Sequence, residues 1–181
     1  MFAPMPTRVV DPGPDADVCA ARSGDRAAFS RLHARYAPMV HAVLLARVSH
    51  ADADDLTQEV FLTAMRRLGD LRDPSAIGGW LAAIARNAAA AVVRSTAALP
   101  GSASSAAPSA LGPEAAEALD AIRALPDAFR ETLLMRLVEG LTGPQIAART
   151  GMTHGSVRVN LHRGMTMLRE RLGARPAKEG P

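Results

Sequence analysis

The chain has 181 residues, 48% hydrophobic but only 3% aromatic, with a formal charge of +3. Alanine supplies much of the apolar share, which favours helix and argues against a β-sandwich or barrel. A single cysteine, Cys19, excludes an intramolecular disulfide and a cysteine-based zinc cluster, and no P-loop, nucleophile elbow, HExxH or dinucleotide fingerprint points to an enzyme.

Residues 1–22 carry Pro4, Pro6, Pro12 and Pro14 with little periodicity and read as a flexible leader. No basic region followed by an apolar run opens the chain, and no uninterrupted stretch of about 18 apolar residues occurs; a cytoplasmic protein without membrane insertion is expected. Ala27 to Val48 then places Phe29, Leu32, Tyr36, Met39, Val40, Val43 and Leu44 on one helical face, with Pro38 expected to bend or interrupt it. Asp52 to Leu68 (DADDLTQEVFLTAMRRL) follows as a helix capped by Asp52. Its acids sit early and Arg66 and Arg67 late, as the macrodipole favours, with Leu56, Val60, Ala64 and Leu68 as its apolar stripe.

Leu71 to Gly79 reads as a loop, and Trp80 to Arg94 as a third helix with Leu81, Ile84, Ala85 and Ala88 inward. Trp80 reads first as a core anchor where loop meets helix. Residues 95–113, STAALPGSASSAAPSALGP, have no charge and linker composition. Beyond them, Glu114 to Ala124 is one predicted helix. Asp127 to Glu139 is a second, with Leu133, Leu134, Leu137 and Val138 as its apolar residues and Gly140 ending it.

The strongest pattern lies between Leu141 and Leu172. Thr142 caps a short helix, Gly151 makes a turn, Thr153 caps a long helix, and Val157, Leu161, Met165, Leu168 and Leu172 point inward. A short helix, a glycine turn and an amphipathic helix make a helix-turn-helix, with Ala147 small enough for close approach and Ile146, Val157 and Leu161 as the shared core. His154, Ser156, Arg158, Asn160 and Arg163 are left on the outer face, where arginine suits guanine edges and Arg149 and Arg163 suit phosphates. Between Arg149 and Arg175 six arginines face one acid, Glu170, a local excess suited to nucleic acid.

Leu125 to Leu172 resembles region 4 of the extracytoplasmic-function sigma factors, and DADDLTQEVFLTAMRRL resembles their region 2.2. The stretch ending GGWLAAIARNAAAAVVR resembles regions 2.3 and 2.4. The resemblance implies an all-α fold of two small domains, a region 2-like domain at 23–94 and a region 4-like helix-turn-helix domain at 114–175, joined by the linker and followed by a tail at 176–181. It implies a non-enzymatic factor, without metal or cofactor, that takes core RNA polymerase to promoter DNA and is commonly held by an anti-sigma factor.

By the same resemblance Asp54, Asp55, Leu56, Gln58, Glu59 and Phe61 lie on or beside the surface that docks on the β′ clamp helices, while region 4 meets the β flap. Trp80, Arg86, Asn87 and Arg94 fall where the family contacts the minus-10 element. Arg149, Thr153, His154, Ser156, Val157, Arg158, Asn160 and Arg163 fall on or near the minus-35 reader. The helix after Trp80 departs from the family in being mostly alanine, with Arg86 and Arg94 its only basic residues. A sigma-like or helix-turn-helix regulator that does not melt promoters is therefore the alternative. The histidines at 33, 41, 50, 154 and 162 are expected to be ordinary surface or core residues.

Overall fold

The computed structural model describes residues 12–97 and 112–173, and all the described secondary structure is helical. Four α-helices make an N-terminal unit: α1 (Gly13–Arg22), α2 (Arg26–Leu45), α3 (His50–Arg67) and α4 (Ile77–Ala97), with short 3-10 turns at Leu68–Asp70 and Pro74–Ala76. Four more make a C-terminal unit: α5 (Pro113–Arg123), α6 (Asp127–Leu137), α7 (Gly143–Thr150) and α8 (His154–Gly173).

The first correction concerns the leader. Residues 13–22 are not a flexible stretch but α1, with Pro14 in its first turn where a missing N–H costs nothing. Val18 is wholly buried, and buried Asp17 accepts two hydrogen bonds from Arg31 of α2 at 2.8 and 2.6 Å. Arg22 Nε donates to the Leu68 carbonyl, tying α1 to the end of α3. Residues 1–11 lie outside the described residues, as do 98–111, most of the expected linker, and the expected tail.

Three boundaries also differ from expectation. Pro38 stands inside an uninterrupted α2, whose first turn is capped by the Asp25 carboxylate accepting from Ala27 and Ala28. The cap of α3 is Ser49, whose hydroxyl accepts from the Asp52 amide, so the helix begins two residues before Asp52. The loop expected at 71–79 ends in helix, because Asp73 caps the turn at Pro74 and α4 continues from Ile77. By length and mean hydropathy, 1.4 over its best window, Pro74–Thr96 could cross a membrane. Its Ile77, Leu81, Ala82, Ala85 and Ala89 are instead buried in the protein core, against α2, α3 and α7.

The core is continuous across the two units. α6 and α7 pack on α2, and α7 packs on α4. The seam is polar around its rim: Glu131 of α6 accepts from Arg86 of α4 at 3.0 and 2.8 Å and lies 2.8 Å from Arg47. Arg47 also reaches Asp127 at 2.8 Å. Arg123 and Arg130 donate to the carbonyls of Leu45, Val48 and Ala46, the groups that the end of α2 leaves without helical partners. Gly78 marks the closest approach: a Cβ there would stand 1.8 Å from the Arg149 carbonyl oxygen.

Candidate nucleic-acid interface

The helix-turn-helix forms as its residues dictate. Thr142 and Gln145 make a reciprocal capping box at the start of α7, and Gly151 adopts φ 74°, the left-handed turn a Cβ would strain. Ile146, Ala147 and Val157 are buried between α7 and α8. Gly164 lets α8 lie on α6, since a Cβ there would meet the Leu133 side chain at 3.1 Å. At the start of α8 the Thr153 hydroxyl accepts from the Ser156 amide at 3.1 Å and contacts its hydroxyl at 2.9 Å.

This arrangement sorts the expected minus-35 residues. His154, Ser156, Arg158 and Arg163 are exposed along one side of α8, joined by Val159, which is 43% exposed. Thr153 is exposed too, but its hydroxyl serves as the helix cap. Val157 is a correction: at 1% exposure it belongs to the core and cannot reach a base. Asn160 is half-buried, its amide donating to the Ala128 carbonyl at 3.4 Å. Arg149, on α7, stands at the seam with the N-terminal unit in this closed arrangement. It is half-buried near Tyr36 and Arg35, and burial, reinforced by the Arg35 charge, lowers the pKa of its guanidinium. Leu172, expected inward, is exposed, and Leu137 and Val138 of the second predicted helix are exposed too.

On α4, Asn87 and Arg94 are exposed, whereas Trp80 is half-buried against the core, as an anchor would be. Arg86 is held by Glu131. The Glu131 carboxyl is pushed up by burial, but Arg86 and Arg47 outweigh this and hold it below the ordinary carboxylate range.

On α3, Asp54, Asp55, Gln58 and Glu59 are exposed on the outer side. Leu56 and Phe61 are corrections, 7% and 4% exposed: Leu56 belongs to the core, and the Phe61 ring packs edge-on to Phe29 and against His33. The outer stripe instead continues through Leu62 and Met65, 52% and 53% exposed. Sequence reasoning missed both, although a step of four from Gln58 and then three reaches them.

Two histidines expected to be ordinary also gain carboxylate partners. His41 Nδ1 lies 2.5 Å from Glu139 Oε1 and its Nε2 lies 3.4 Å from Asp54, while His50 Nδ1 is 3.2 Å from Asp54. The Glu139 hydrogen bond raises the His41 pKa against the opposing effect of burial, and Asp54 adds to the rise.

Comparison with known proteins agrees with this division. Residues 32–98 match the model of sigma-70 region 2 and residues 115–168 that of sigma-70 region 4. The RNA polymerase sigma factor CarQ of Myxococcus xanthus is 35% identical over 162 residues, covering 84% of this chain and 93% of CarQ. The ECF RNA polymerase sigma factor BldN of Streptomyces coelicolor is 31% identical over 165 residues, covering 82% of this chain and 61% of BldN. A solved structure of CnrH in complex with the cytosolic domain of CnrY shares the fold, with a TM-score of 0.58 at 23% identity, over 90% of this chain and 99% of that one. The sequence identity to CarQ over nearly its whole length, and 34% identity over 178 residues to the ECF RNA polymerase sigma factor SigD of Mycobacterium tuberculosis, covering 88% of this chain and 84% of SigD, with region 2 and region 4 in order, place the chain in the extracytoplasmic-function family of RNA polymerase sigma factors.

Proposed function

We propose that the chain recruits core RNA polymerase in the cytoplasm and sets it on promoters through two DNA contacts, acting stoichiometrically rather than as an enzyme. The exposed side of α8, with His154, Ser156, Arg158 and Arg163, reads the minus-35 element in the major groove. The exposed side of α4, with Asn87 and Arg94 and with Arg86 once freed, engages the minus-10 element. Asp54, Asp55, Gln58 and Glu59, with Leu62 and Met65 beside them, dock on the β′ clamp helices, and the C-terminal unit meets the β flap.

The observation that carries this reading is the start of α8: a capped helix fixed on α6 and α7, presenting exposed polar and basic side chains. A second observation supports a resting state. Arg86 on the minus-10 face is ion-paired to Glu131 of the other unit, so the closed arrangement ties up the charge of a DNA-binding group and the units separate before promoter binding. An anti-sigma protein that prefers the closed arrangement would hold the factor inactive by population shift. Run-off transcription on genomic fragments with purified core polymerase tests the assignment. New discrete start sites that depend on the protein support it; core binding without such transcripts overturns it in favour of a sigma-like regulator.

A further inference from the structure

The short connection from α2 to α3 folds His50, the first residue of α3, back beside His41 near the end of α2, with ring centroids 5.5 Å apart. Asp54 stands one turn further along α3. A nitrogen of each histidine and a carboxylate oxygen of Asp54 all lie within 4.8 Å of one another. His41 Nε2 is 3.4 Å from Asp54 Oδ1, and His50 Nδ1 is 3.2 Å from Oδ2. Ligand atoms about 2.0 to 2.1 Å from a tetrahedral zinc ion stand about 3.3 to 3.4 Å apart, so each histidine stands from an Asp54 oxygen at the spacing of two ligands on one cation, and a small turn of the exposed His50 and Asp54 side chains brings the three onto it.

The tautomer of His41 sharpens the point. Its Nδ1 is 2.5 Å from the Glu139 carboxylate, which can only accept, so Nδ1 carries the ring proton. In the neutral ring Nε2 then bears a lone pair. That atom is buried, makes no hydrogen bond and faces the Asp54 oxygen. A lone pair against a carboxylate is repulsive unless a positive species sits between them. A histidine whose far nitrogen is held by a carboxylate while its near nitrogen is left open is the arrangement by which proteins orient metal-ligating imidazoles.

We infer that His41, His50 and Asp54 form a binding site for a divalent cation of the zinc class, with Glu139 orienting His41 from the C-terminal unit. Two imidazoles and one carboxylate suit zinc, nickel or cobalt(II) rather than calcium or magnesium, which take oxygen ligands. A groove of about 860 Å³ lined in part by His41, Asp54, Gln58 and Glu139 opens beside two of the three ligands. Because Glu139 belongs to the other unit, a bound ion strengthens the seam as well as the α2–α3 pair. An effect on transcription further rests on the docking role given to Asp54; the binding itself does not.

The test is calorimetric titration of the full-length, tag-free protein with zinc chloride at neutral pH in a non-chelating buffer. One ion per chain is expected at micromolar or tighter affinity. His50→Ala and Asp54→Asn each weaken binding at least about tenfold, and Glu139→Gln weakens it about tenfold through the orienting hydrogen bond. His162→Ala and Cys19→Ser, at exposed positions away from the cluster, leave it unchanged. His50 and Asp54 are exposed, so circular dichroism of their variants is expected to match the parent. No saturation at millimolar zinc, or binding that survives both His50→Ala and Asp54→Asn, overturns the site and leaves a proton as the partner of His41 Nε2.

Discussion

Neighbouring residues on α8 separate reading from folding. Arg158 is exposed on the outer side, while Val157 is buried between α7 and α8. Arg158→Ala is therefore expected to weaken promoter binding by the holoenzyme by about 1 to 3 kcal/mol if it reads a base, with no loss of thermal stability. Fluorescence anisotropy at fixed salt checks this, and unchanged affinity removes Arg158 from the recognition set. Val157→Ala is expected to do the reverse, costing about 1.5 to 3 kcal/mol of unfolding free energy in a urea titration. A normal urea midpoint for that variant would contradict its burial. The family resemblance placed Val157 among the minus-35 residues, whereas helical phase placed it inward with Ile146 and Leu161. The phase, set by Ile146 and Leu168 as fellow core residues, is the better guide.

Among the elements, most helices were legible because their end signals are local. The Thr142 cap and the Gly151 turn each act within one turn, so sequence alone places them, whereas the start of α3 was read two residues late because Ser49 and not Asp52 is its cap. The element that was missed, α1, has Pro14 in its first turn and Pro12 just before it, and is held by tertiary contacts: buried Val18, the Asp17–Arg31 pair and Arg22 on Leu68. The site was legible only in part for the same reason. Which side of α3 is outer follows from periodicity, but that Arg86 meets Glu131 and His41 meets Glu139 depends on how two units pack.

Gly78 tests that packing at the level of one helix. Alanine there should strengthen α4 by about 0.8 to 1 kcal/mol on intrinsic propensity, yet its Cβ would stand 1.8 Å from the Arg149 carbonyl oxygen, a backbone atom that cannot move aside alone. Gly78→Ala is thus expected to push the C-terminal unit off α4 while leaving the N-terminal unit folded. Small-angle scattering should show a larger radius of gyration and core polymerase should bind the variant more readily. An unchanged radius would mean that the close approach is relieved by a small shift within a closed molecule.

For the molecule as a whole, closure joins a continuous apolar seam to a rim of ion pairs, and the rim gives it a pH dependence of known sign. Glu131 is faced by Arg86 of α4 and Arg47 at the end of α2, with Arg130 and Asp127 near it on its own helix. Burial opposes ionisation of Glu131, but the two guanidiniums prevail and its folded pKa lies below the ordinary 4.5. A depressed carboxylate pKa contributes stability that is complete above the unfolded value and is lost as pH falls through the folded value. Other carboxylates titrate in the same range, so the informative quantity is the difference between the parent and Glu131→Gln. Urea unfolding of the two proteins should show a stability gap that is constant from about pH 7 down to about 4.5 and narrows below it, as the parent loses the charge that the variant never had. The same variant should scatter as a more open molecule at neutral pH, because Arg86 and Arg47 then face a neutral amide across the seam. A gap that stays constant to pH 3 would show that the Glu131 charge contributes nothing to closure, and the apolar seam alone would then hold the units together.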